Sequence, residues 1–265
     1  MTKSSSFYEN PRIYDIAFSY RNFSEEIEVI RLWYHKFSKK KKLSSLLELA
    51  AGPARHSLEF ANSGIRATAI DISPAMCRYA KLLARRANVV LDVMQADMIN
   101  FSINKKFDLA VQMLDSASHI LSESQMIAHL LCVGQHLRPG GIYVVEMARA
   151  ITNRQSSTTK SEWEVNRQGT KVRVQWAAAE DTKIRKPVGT PTKIIVDVET
   201  RTGKNHFEDE ILQKQWRKYQ IEKCINFTEI FEIVASYGAF DETISPNDKS
   251  AWRLILILRK LSSAN

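Results

Sequence analysis

Short apolar runs alternate with helical stretches between Leu46 and Glu146, and this rhythm constrains the fold of the chain more than any other feature. Two intervening segments, Pro74 to Ala87 and Glu123 to Leu137, have the spacing of amphipathic helices, and each follows a serine that can cap it. Apolar strands that alternate with helices are typical of a parallel sheet covered on both faces. The runs that predict its strands are LLELA (46–50), ATAI (67–70), VVLDVMQ (89–95), FDLAVQML (107–114) and IYVVEM (142–147).

Further helices and a last strand are predicted outside this region. The N-terminal part reads as helical, with Ser24 as an N-cap and apolar residues at helical spacing from Ile27 to Phe37. Near the other end, Asn226 is the predicted N-cap of a helix that ends before Gly238. Trp252 to Arg259 is predicted to be the last strand.

The region after Glu146 has the pattern of antiparallel strands. Trp163 to Ala178 predicts a hairpin, and Lys193 to Thr200 with Ile211 to Glu222 predicts a second pair of strands. Residues 181–191 contain two prolines and a glycine and are predicted to be the least ordered part. The chain is therefore predicted to be an open α/β sheet that an antiparallel β insertion interrupts before the final helix and strand.

Three parts follow from these patterns. The insertion is expected to bind an acceptor molecule or to mediate dimerisation. A homodimer is one expectation because exposed strand edges can pair with those of a second copy. The predicted parts are an N-terminal helical cap (1–42), an α/β core (43–150 and 223–265) and the β insertion (151–222).

Composition excludes several classes of protein. With 265 residues, 44% of them hydrophobic and 25% charged, the chain is typical of a globular protein. Its longest aliphatic run, Leu254 to Leu258, is far shorter than the roughly 20 residues that span a membrane. The N-terminus shows no apolar secretion signal, and the three cysteines form no CxxC, so we expect a cytoplasmic protein without disulfides or a metal site. The net charge of +9 is scattered apart from Lys39 to Lys42, which favours a solvated basic surface over nucleic-acid binding.

The segments just after the predicted strands are where an open parallel sheet binds its ligand. Asp71 ends the second strand, where a carboxylate can accept hydrogen bonds from both hydroxyls of a ribose. The slots of a dinucleotide-binding G-x-G-x-x-G read Ala50, Gly52 and Arg55, and no phosphate-binding GxxxxGK[ST] is present. Glu48 would repel a diphosphate and tolerate a cation. An adenosine cofactor with a positive charge and no phosphate is S-adenosylmethionine.

At these positions the chain resembles the class I S-adenosylmethionine-dependent methyltransferases. LLELAAGPARHSLEFA resembles the first motif of that family, AIDISPAM the second, QADM the third and LRPGGIYVVEM the segment around the fifth strand. The N-terminal IYDIAFSYRNF and the insertion resemble N-methyltransferases of amino sugars and natural products. The resemblance implies a Rossmann-like, mostly parallel seven-stranded sheet with an antiparallel last strand, and the transfer of methyl groups to nitrogen or oxygen of a small molecule.

The resemblance also implies a set of residues that bind the cofactor. Ala50 and Gly52 would pack under its amino-acid part, and Asp71 would hold the ribose. The other implied contacts are Asp97 and the Met98 amide at the adenine, Ile72 and Met76 beside its ring, the Met113 carbonyl at the amino group, and Tyr14, Tyr20 and Arg21 closing the site. The family more often has glycine at Ala50 and Ala54.

The catalytic candidates each have a structural alternative. His119 is the best-placed base for an amine acceptor, or it packs on the following helix. Tyr14 could face the positive sulfur, or pack as a helix aromatic, and Asp115 could orient an amine or cap a turn. Three tryptophans assigned to insertion strands could line an acceptor pocket, or form a core of the insertion; they are Trp163, Trp176 and Trp216. The competing functions are an RNA or protein methyltransferase and a cofactor-binding protein without turnover.

Overall fold

The computed structural model describes residues 6–39, 42–149, 160–178 and 189–262. Contacts between Cα atoms divide the chain into two compact units. The smaller unit comprises the described residues of Met1–Asn22 and Ile151–Lys214, and the larger those of Phe23–Ala150 and Gln215–Asn265. The N-terminal segment, predicted as one helical cap over 1–42, is thus shared between the two units.

The described elements are six helices, eleven strands and two short 3-10 helices. In chain order the helices are α1 (Pro11–Ala17), α2 (Phe23–Phe37), α3 (Arg55–Asn62), α4 (Pro74–Ala87), α5 (Glu123–His136) and α6 (Lys218–Thr228). The strands are β1 (Ser45–Leu49), β2 (Arg66–Asp71), β3 (Leu91–Gln95), β4 (Phe107–Gln112), β5 (Leu137–Ala148), β6 (Lys160–Arg167), β7 (Thr170–Ala178), β8 (Thr190–Thr200), β9 (Gly203–Gln213), β10 (Phe231–Tyr237) and β11 (Arg253–Lys260). The 3-10 helices are Phe7–Glu9 and Ser116–His119. Among these described helices, none is long and apolar enough to span a membrane.

The larger unit is built on a seven-stranded sheet in the order β10-β11-β5-β4-β1-β2-β3. Its strands β1 to β5 pair in parallel, and β11 runs antiparallel to both β5 and β10. This confirms the predicted mostly parallel sheet with an antiparallel last strand. The strand order reverses between β1 and β4, and ligands of open α/β sheets bind beyond the carboxyl ends of the strands at such a switch point.

Apolar side chains cover both faces of this sheet, as the continuous hydrophobic runs require. Every residue of β1 and β4 is buried, because these strands lie in the middle of the sheet. Leu47 and Leu49 pack in a cluster with residues of α5 and α6, whereas Leu46 points to a second cluster with residues of α2 and α3. Burying one such side chain contributes roughly 1.5–3 kcal/mol to folding.

The helix predicted after Asn226 is wrong. The helix in this region is α6, which begins at Lys218, and residues 231–237 form β10 instead. Ile221, Cys224 and Ile225 are buried and lie on one helical face, but the alternation of the segment suggested a strand that in fact ends at Gln213. Glu229 caps the end of the helix in the left-handed conformation (φ 53°). Glycine is usual in this conformation, so the sequence carries no signal for the end of the helix.

Of the other predicted helix caps, two are confirmed and one is wrong. The capping box of Ser122 with Gln125 and the cap at Ser73 are confirmed. Ser24 is not the N-cap of α2, because that helix begins one residue earlier, and its hydroxyl donates instead to the Glu59 carboxylate at 3.1 Å. Of the segment 181–191 that was expected to be least ordered, residues 181–188 lie outside the described residues.

The smaller unit is a four-stranded antiparallel sheet in the order β6-β7-β8-β9. Gln168 and Gly169 form the predicted hairpin turn with positive φ angles of 52° and 74°. One face of the sheet packs on α1 and the preceding 3-10 helix, and its buried residues include Phe7, Ile16, Val174 and Val196. Ion pairs such as Lys171–Glu164 and Lys193–Glu208 join neighbouring strands at half-exposed or exposed positions. The unit thus has one apolar and one solvated face.

Candidate active site

The loop after β1 turns sharply through three residues in the left-handed conformation. Ala50, Gly52 and Ala54 have φ angles of 48°, 52° and 57°. For the two alanines this conformation costs roughly 1–2 kcal/mol each relative to ordinary backbone. The neighbouring Ala51 amide donates to the Ile70 carbonyl at 2.9 Å, which ties the loop to β2. The first motif thus keeps a glycine-like backbone although alanine occupies two of its positions.

Asp71 ends β2 directly beside this loop. Its Oδ2 accepts a hydrogen bond from the Gly52 amide at 2.7 Å, and its Oδ1 accepts one from the Ser73 amide at 2.8 Å. Burial raises the pKa of Asp71, the two backbone hydrogen bonds lower it, and the charge of Glu48 raises it further. A carboxylate offers about four lone-pair positions, so two positions stay available for hydroxyl groups.

A buried network of charged side chains, which the sequence did not predict, lies beside the loop after β1. The Nε2 atom of His56 lies 2.8 Å from Glu26 of α2, and its Nδ1 lies 3.3 Å from Glu48 of β1. Glu48 also accepts a hydrogen bond from the Ser57 amide at 2.8 Å. Burial by itself would lower the pKa of His56, but the hydrogen bonds to both carboxylates outweigh it and raise the pKa to about 9. The imidazolium therefore joins α2, β1 and the start of α3 at neutral pH.

The residues expected around an adenine lie after β2 and β3. Ile72 is exposed over 66% of its surface although it is a large apolar residue, whereas Met76 is buried inside α4. Asp97 is exposed, and its Oδ1 accepts a hydrogen bond from the Ile99 amide at 2.8 Å. The carbonyl of Met98 accepts a hydrogen bond from Nδ1 of His129 at 2.8 Å.

The segment after β4 is held to β5 by two hydrogen bonds. The Leu114 amide donates to Oε2 of Glu146 at 3.2 Å, and Oδ1 of Asp115 accepts from the Ala148 amide at 2.8 Å. Glu146 also forms a buried ion pair with Arg253 of β11 at 2.8 Å. These contacts join the carboxyl ends of β4 and β5 next to the switch point.

The Met113 carbonyl, at the start of this segment, is already hydrogen-bonded. It accepts from the amide of Ser116 at 3.2 Å and from its hydroxyl at 2.7 Å. These two bonds use the two lone pairs of a carbonyl oxygen. For Met113 to hold a cofactor's amino group, as predicted, the Ser116 hydroxyl would have to turn away.

Trp216 fixes the 3-10 helix that carries His119. Its Nε1 donates to the carbonyls of Ala117 and Ile120 at 3.1 and 3.0 Å. The assignment of Trp216 to an insertion strand is wrong, because the residue follows β9 and is buried in the core of the larger unit. The His119 side chain itself is exposed, and partial desolvation lowers its pKa, so it is neutral at pH 7.

The N-terminal candidates belong to the smaller unit. The ring of Tyr14 lies 5.2 Å from that of Phe7 and 4.6 Å from that of Phe18. Tyr20 is half exposed, at 54%, and Arg21 is buried. Their roles at the cofactor stay predictions.

The other two tryptophans are partly buried and pack against the core of the smaller unit. Trp163 and Trp176 stack with ring centroids 6.4 Å apart. Trp163 donates from Nε1 to the Ala17 carbonyl of that unit at 2.7 Å, and Trp176 donates to the side chain of Gln213 at 2.9 Å. Both rings thus help to form the small core that the sequence analysis gave as one alternative.

Negative charge dominates the carboxyl edge of the larger sheet. Two of the cations near this edge, His56 and Arg253, form ion pairs with its carboxylates, and Arg149 donates to backbone carbonyls. Such carboxylates favour a positively charged group placed beside them. Within the described residues, no group of histidines, cysteines and carboxylates is arranged to hold a metal ion. The carboxylates of the edge are Glu48, Asp71, Asp97, Asp115 and Glu146.

Comparison with known proteins identifies the region around this edge. Residues 46–141 match the family described as methyltransferase domain. Over 109 residues the chain is 29% identical to dTDP-3-amino-3,4,6-trideoxy-alpha-D-glucopyranose N,N-dimethyltransferase of Streptomyces venezuelae. The match covers 41% of this chain and 44% of that protein. The matched region is thus less than half the length of this curated relative.

Solved structures resemble the chain over nearly its whole length. An S-adenosylmethionine-dependent methyltransferase from Clostridium acetobutylicum aligns with a TM-score of 0.77 at 17% identity, over 95% of this chain and 97% of that one. An amino pentose methyltransferase from Micromonospora echinaspora, solved with S-adenosylmethionine bound, aligns with a TM-score of 0.72 at 16% identity, over 94% of this chain and 96% of that one. Residues 46–141 therefore match a methyltransferase domain, and the chain has the fold of the S-adenosylmethionine-dependent methyltransferases with which it aligns.

Proposed function

We propose that this chain uses S-adenosylmethionine to methylate the amino nitrogen of a sugar, of the kind named in its relatives. The observation that carries the proposal is Asp71, which the Gly52 amide holds at the end of β2 with lone pairs to spare, at a carboxylate-lined edge. The curated relative is named as an N,N-dimethyltransferase of a dTDP-linked amino sugar, and one similar structure is an amino pentose methyltransferase.

The residues present suit this cofactor. Asp71 would accept hydrogen bonds from the two ribose hydroxyls, and exposed Ile72 would pack against the adenine with the Asp97–Met98 segment. Glu48 and its partners give the first loop a negative environment that suits a cation. When bound, S-adenosylmethionine supplies a methyl group on a positively charged sulfur. The chain's part is to align an acceptor with that methyl group and to exclude water.

The proposal is tested by incubating the protein with S-adenosylmethionine and dTDP-3-amino-3,4,6-trideoxyglucose. We expect a mass gain of about 14 daltons for each methyl group, one CH₂ unit supplied by the cofactor. The sugar with a hydroxyl in place of the amine is the control for O-methylation. Asp71→Ala should weaken cofactor binding by about 1–3 kcal/mol, through lost charged hydrogen bonds.

Other outcomes favour the remaining candidates. Methylation of RNA or of a protein, with binding that weakens steeply with salt, would favour a macromolecular acceptor. Cofactor binding without product from any acceptor would indicate a protein without turnover. We also propose a cytoplasmic location, which fractionation of cells that produce the protein tests. The proposed homodimer is tested by light scattering.

A further inference from the structure

Asp115 occupies a conformation that needs an explanation. It follows β4 and has a left-handed backbone with a φ angle of 56°, directly after Leu114 with a φ angle of 57°. Two consecutive residues other than glycine in this conformation are strained, and such strain persists only where the surroundings enforce it. Here Glu146 accepts from the Leu114 amide and Asp115 accepts from the Ala148 amide. The strained turn therefore sets the Asp115 carboxyl group at the edge between β4 and β5.

The carboxyl group of Asp115 is held from two sides. It accepts from the Ala148 amide at 2.8 Å, and the Ser118 side chain also hydrogen-bonds to it. The residue as a whole is half-buried. Within the described part of the chain, no lysine or arginine forms an ion pair with Asp115. A half-buried carboxylate is thus fixed in place without a counter-charge.

The charged groups around Asp115 make its ionisation unfavourable. Burial and then the charge of Glu146 on β5 raise the pKa of Asp115 to about 7, although the hydrogen bonds from Ala148 and Ser118 lower it. The nearest cation of β11, Arg253, is paired with Glu146 at 2.8 Å. Arg149 at the end of β5 donates to backbone carbonyls, and His119 of the same segment is exposed.

A turn-capping role does not account for an aspartate at this position. Asparagine or serine could accept the Ala148 hydrogen bond without bringing a charge next to Glu146. A carboxylate is favoured where a cation arrives beside it. The switch point lies between β1 and β4, so an acceptor next to the cofactor lies toward the ends of β4 and β5. An amino sugar brings such a cation, because an ordinary amine is protonated near neutral pH.

We propose that Asp115 binds the amino group of the acceptor as an ammonium ion and removes one proton from it before methyl transfer. An N–H bond of the ammonium breaks, its electron pair stays on nitrogen as the lone pair that attack requires, and the proton goes to the Asp115 carboxylate. This inference rests on the proposed function, because it needs an amine as the acceptor. Amines titrate between about pH 8 and 10.5, above the carboxyl group of Asp115, so a carboxylate whose own pKa is raised takes the proton more readily than an ordinary aspartate would.

Asp115→Asn is the test, because asparagine keeps the shape and the oxygen that accepts from Ala148. We expect kcat/KM for dTDP-3-amino-3,4,6-trideoxyglucose to fall about 100-fold or more, with unchanged affinity for S-adenosylmethionine. In the wild type, kcat/KM should fall as the pH drops through about 7, and the variant should lose this limb. Asp92→Asn is the matched control, because Asp92 is an exposed carboxylate on β3 that pairs with Lys105. This variant should behave as wild type.

Stability separates this role from a structural one. The pKa of Asp115 is raised in the folded state, so its favourable contribution is present at low pH and is lost as the pH rises through about 7. Asp115→Asn should therefore have a higher Tm than wild type at pH 8 and a similar Tm at pH 4. A turn-capping aspartate predicts the opposite at pH 8. A variant that is less stable at pH 8, or that keeps the wild-type pH profile, would overturn the proposal.

Binding distinguishes failure of this inference from failure of the proposed function. With S-adenosylhomocysteine bound, the wild type should bind the amino sugar more tightly than its hydroxyl counterpart, and Asp115→Asn should lose this preference. Turnover of the amine with unchanged preference in the variant would overturn only the role of Asp115. Equal binding of the two sugars by the wild type, without turnover of the amine, would overturn the amine acceptor and the role of Asp115 together.

Discussion

His56 is the residue on which the first loop of the larger unit depends most, because its imidazolium lies between two buried carboxylates. His56→Gln would remove the cation that lies between the buried carboxylates of Glu26 and Glu48. Removing one partner of a buried ion pair costs roughly 3–5 kcal/mol. We expect the free energy of unfolding in urea to fall by about this amount. His35→Gln, which changes an exposed histidine of α2, the helix that carries Glu26, is the control and should leave the midpoint of urea unfolding unchanged.

The raised pKa of His56 also makes the free energy of unfolding depend on pH. The pKa of His56 is raised to about 9 in the folded state, so the stabilisation is fully present below its usual pKa and is lost as the pH rises through 9. Between pH 6.5 and 9 the wild type should therefore lose roughly 3 kcal/mol of unfolding free energy, from the 2.5-unit difference in pKa. Urea titrations at several pH values measure this slope. An equal slope in His56→Gln would contradict the assignment.

At the scale of elements, α5 fixes the loop that follows β3. Burial lowers the pKa of His129 to about 4, so its ring is neutral, and its Nδ1–H donates to the Met98 carbonyl. His129→Phe removes this donor and loosens the loop expected at the adenine. We expect the Kd for S-adenosylmethionine to rise about 5- to 10-fold, the effect of one hydrogen bond of about 1 kcal/mol.

His136 provides a matched control on the same helix. Its Nε2 accepts from the Ile103 amide at 3.0 Å, so it holds the chain beyond the adenine loop. His136→Phe should lower the Tm without changing the Kd measured by calorimetry. Equal losses of cofactor affinity in both variants would indicate a general loss of packing and would contradict the specific role of His129.

The elements show which parts of the fold a sequence reveals. The parallel strands were predictable because β1 and β4 are buried on both faces and read as apolar runs. The start of helix α6 was missed because its segment has the alternation of a strand, and its end was missed because Glu229, and not glycine, caps it. Asp71 could be located from its position after a strand. The contacts of His56 with Glu26 and Glu48 could not be predicted, because tertiary packing brings together residues that are far apart in sequence.

At the scale of the whole molecule, the charge of the chain and the charge of its site have opposite signs. The sequence carries a net charge of +9, whereas carboxylates line the carboxyl edge of the larger sheet, where His56 and Arg253 are already paired with Glu48 and Glu146. A ligand is selected by the local field more than by the net charge, because salt screens charges beyond about 8 Å. The site should therefore accept cations although the protein is basic.

This selectivity should appear in the stability of the whole molecule. A ligand at 100 times its Kd stabilises the folded state by about 2.7 kcal/mol, which raises the Tm of a chain of this size by roughly 5–10 °C. We expect this shift with S-adenosylmethionine and none with NAD or ATP, whose phosphates the Asp71 carboxylate would repel. S-adenosylhomocysteine, without the positive sulfur, should give a smaller shift at equal concentration. Asp71→Ala should reduce the shift, and a larger shift with NAD than with S-adenosylmethionine would refute the assignment of the site.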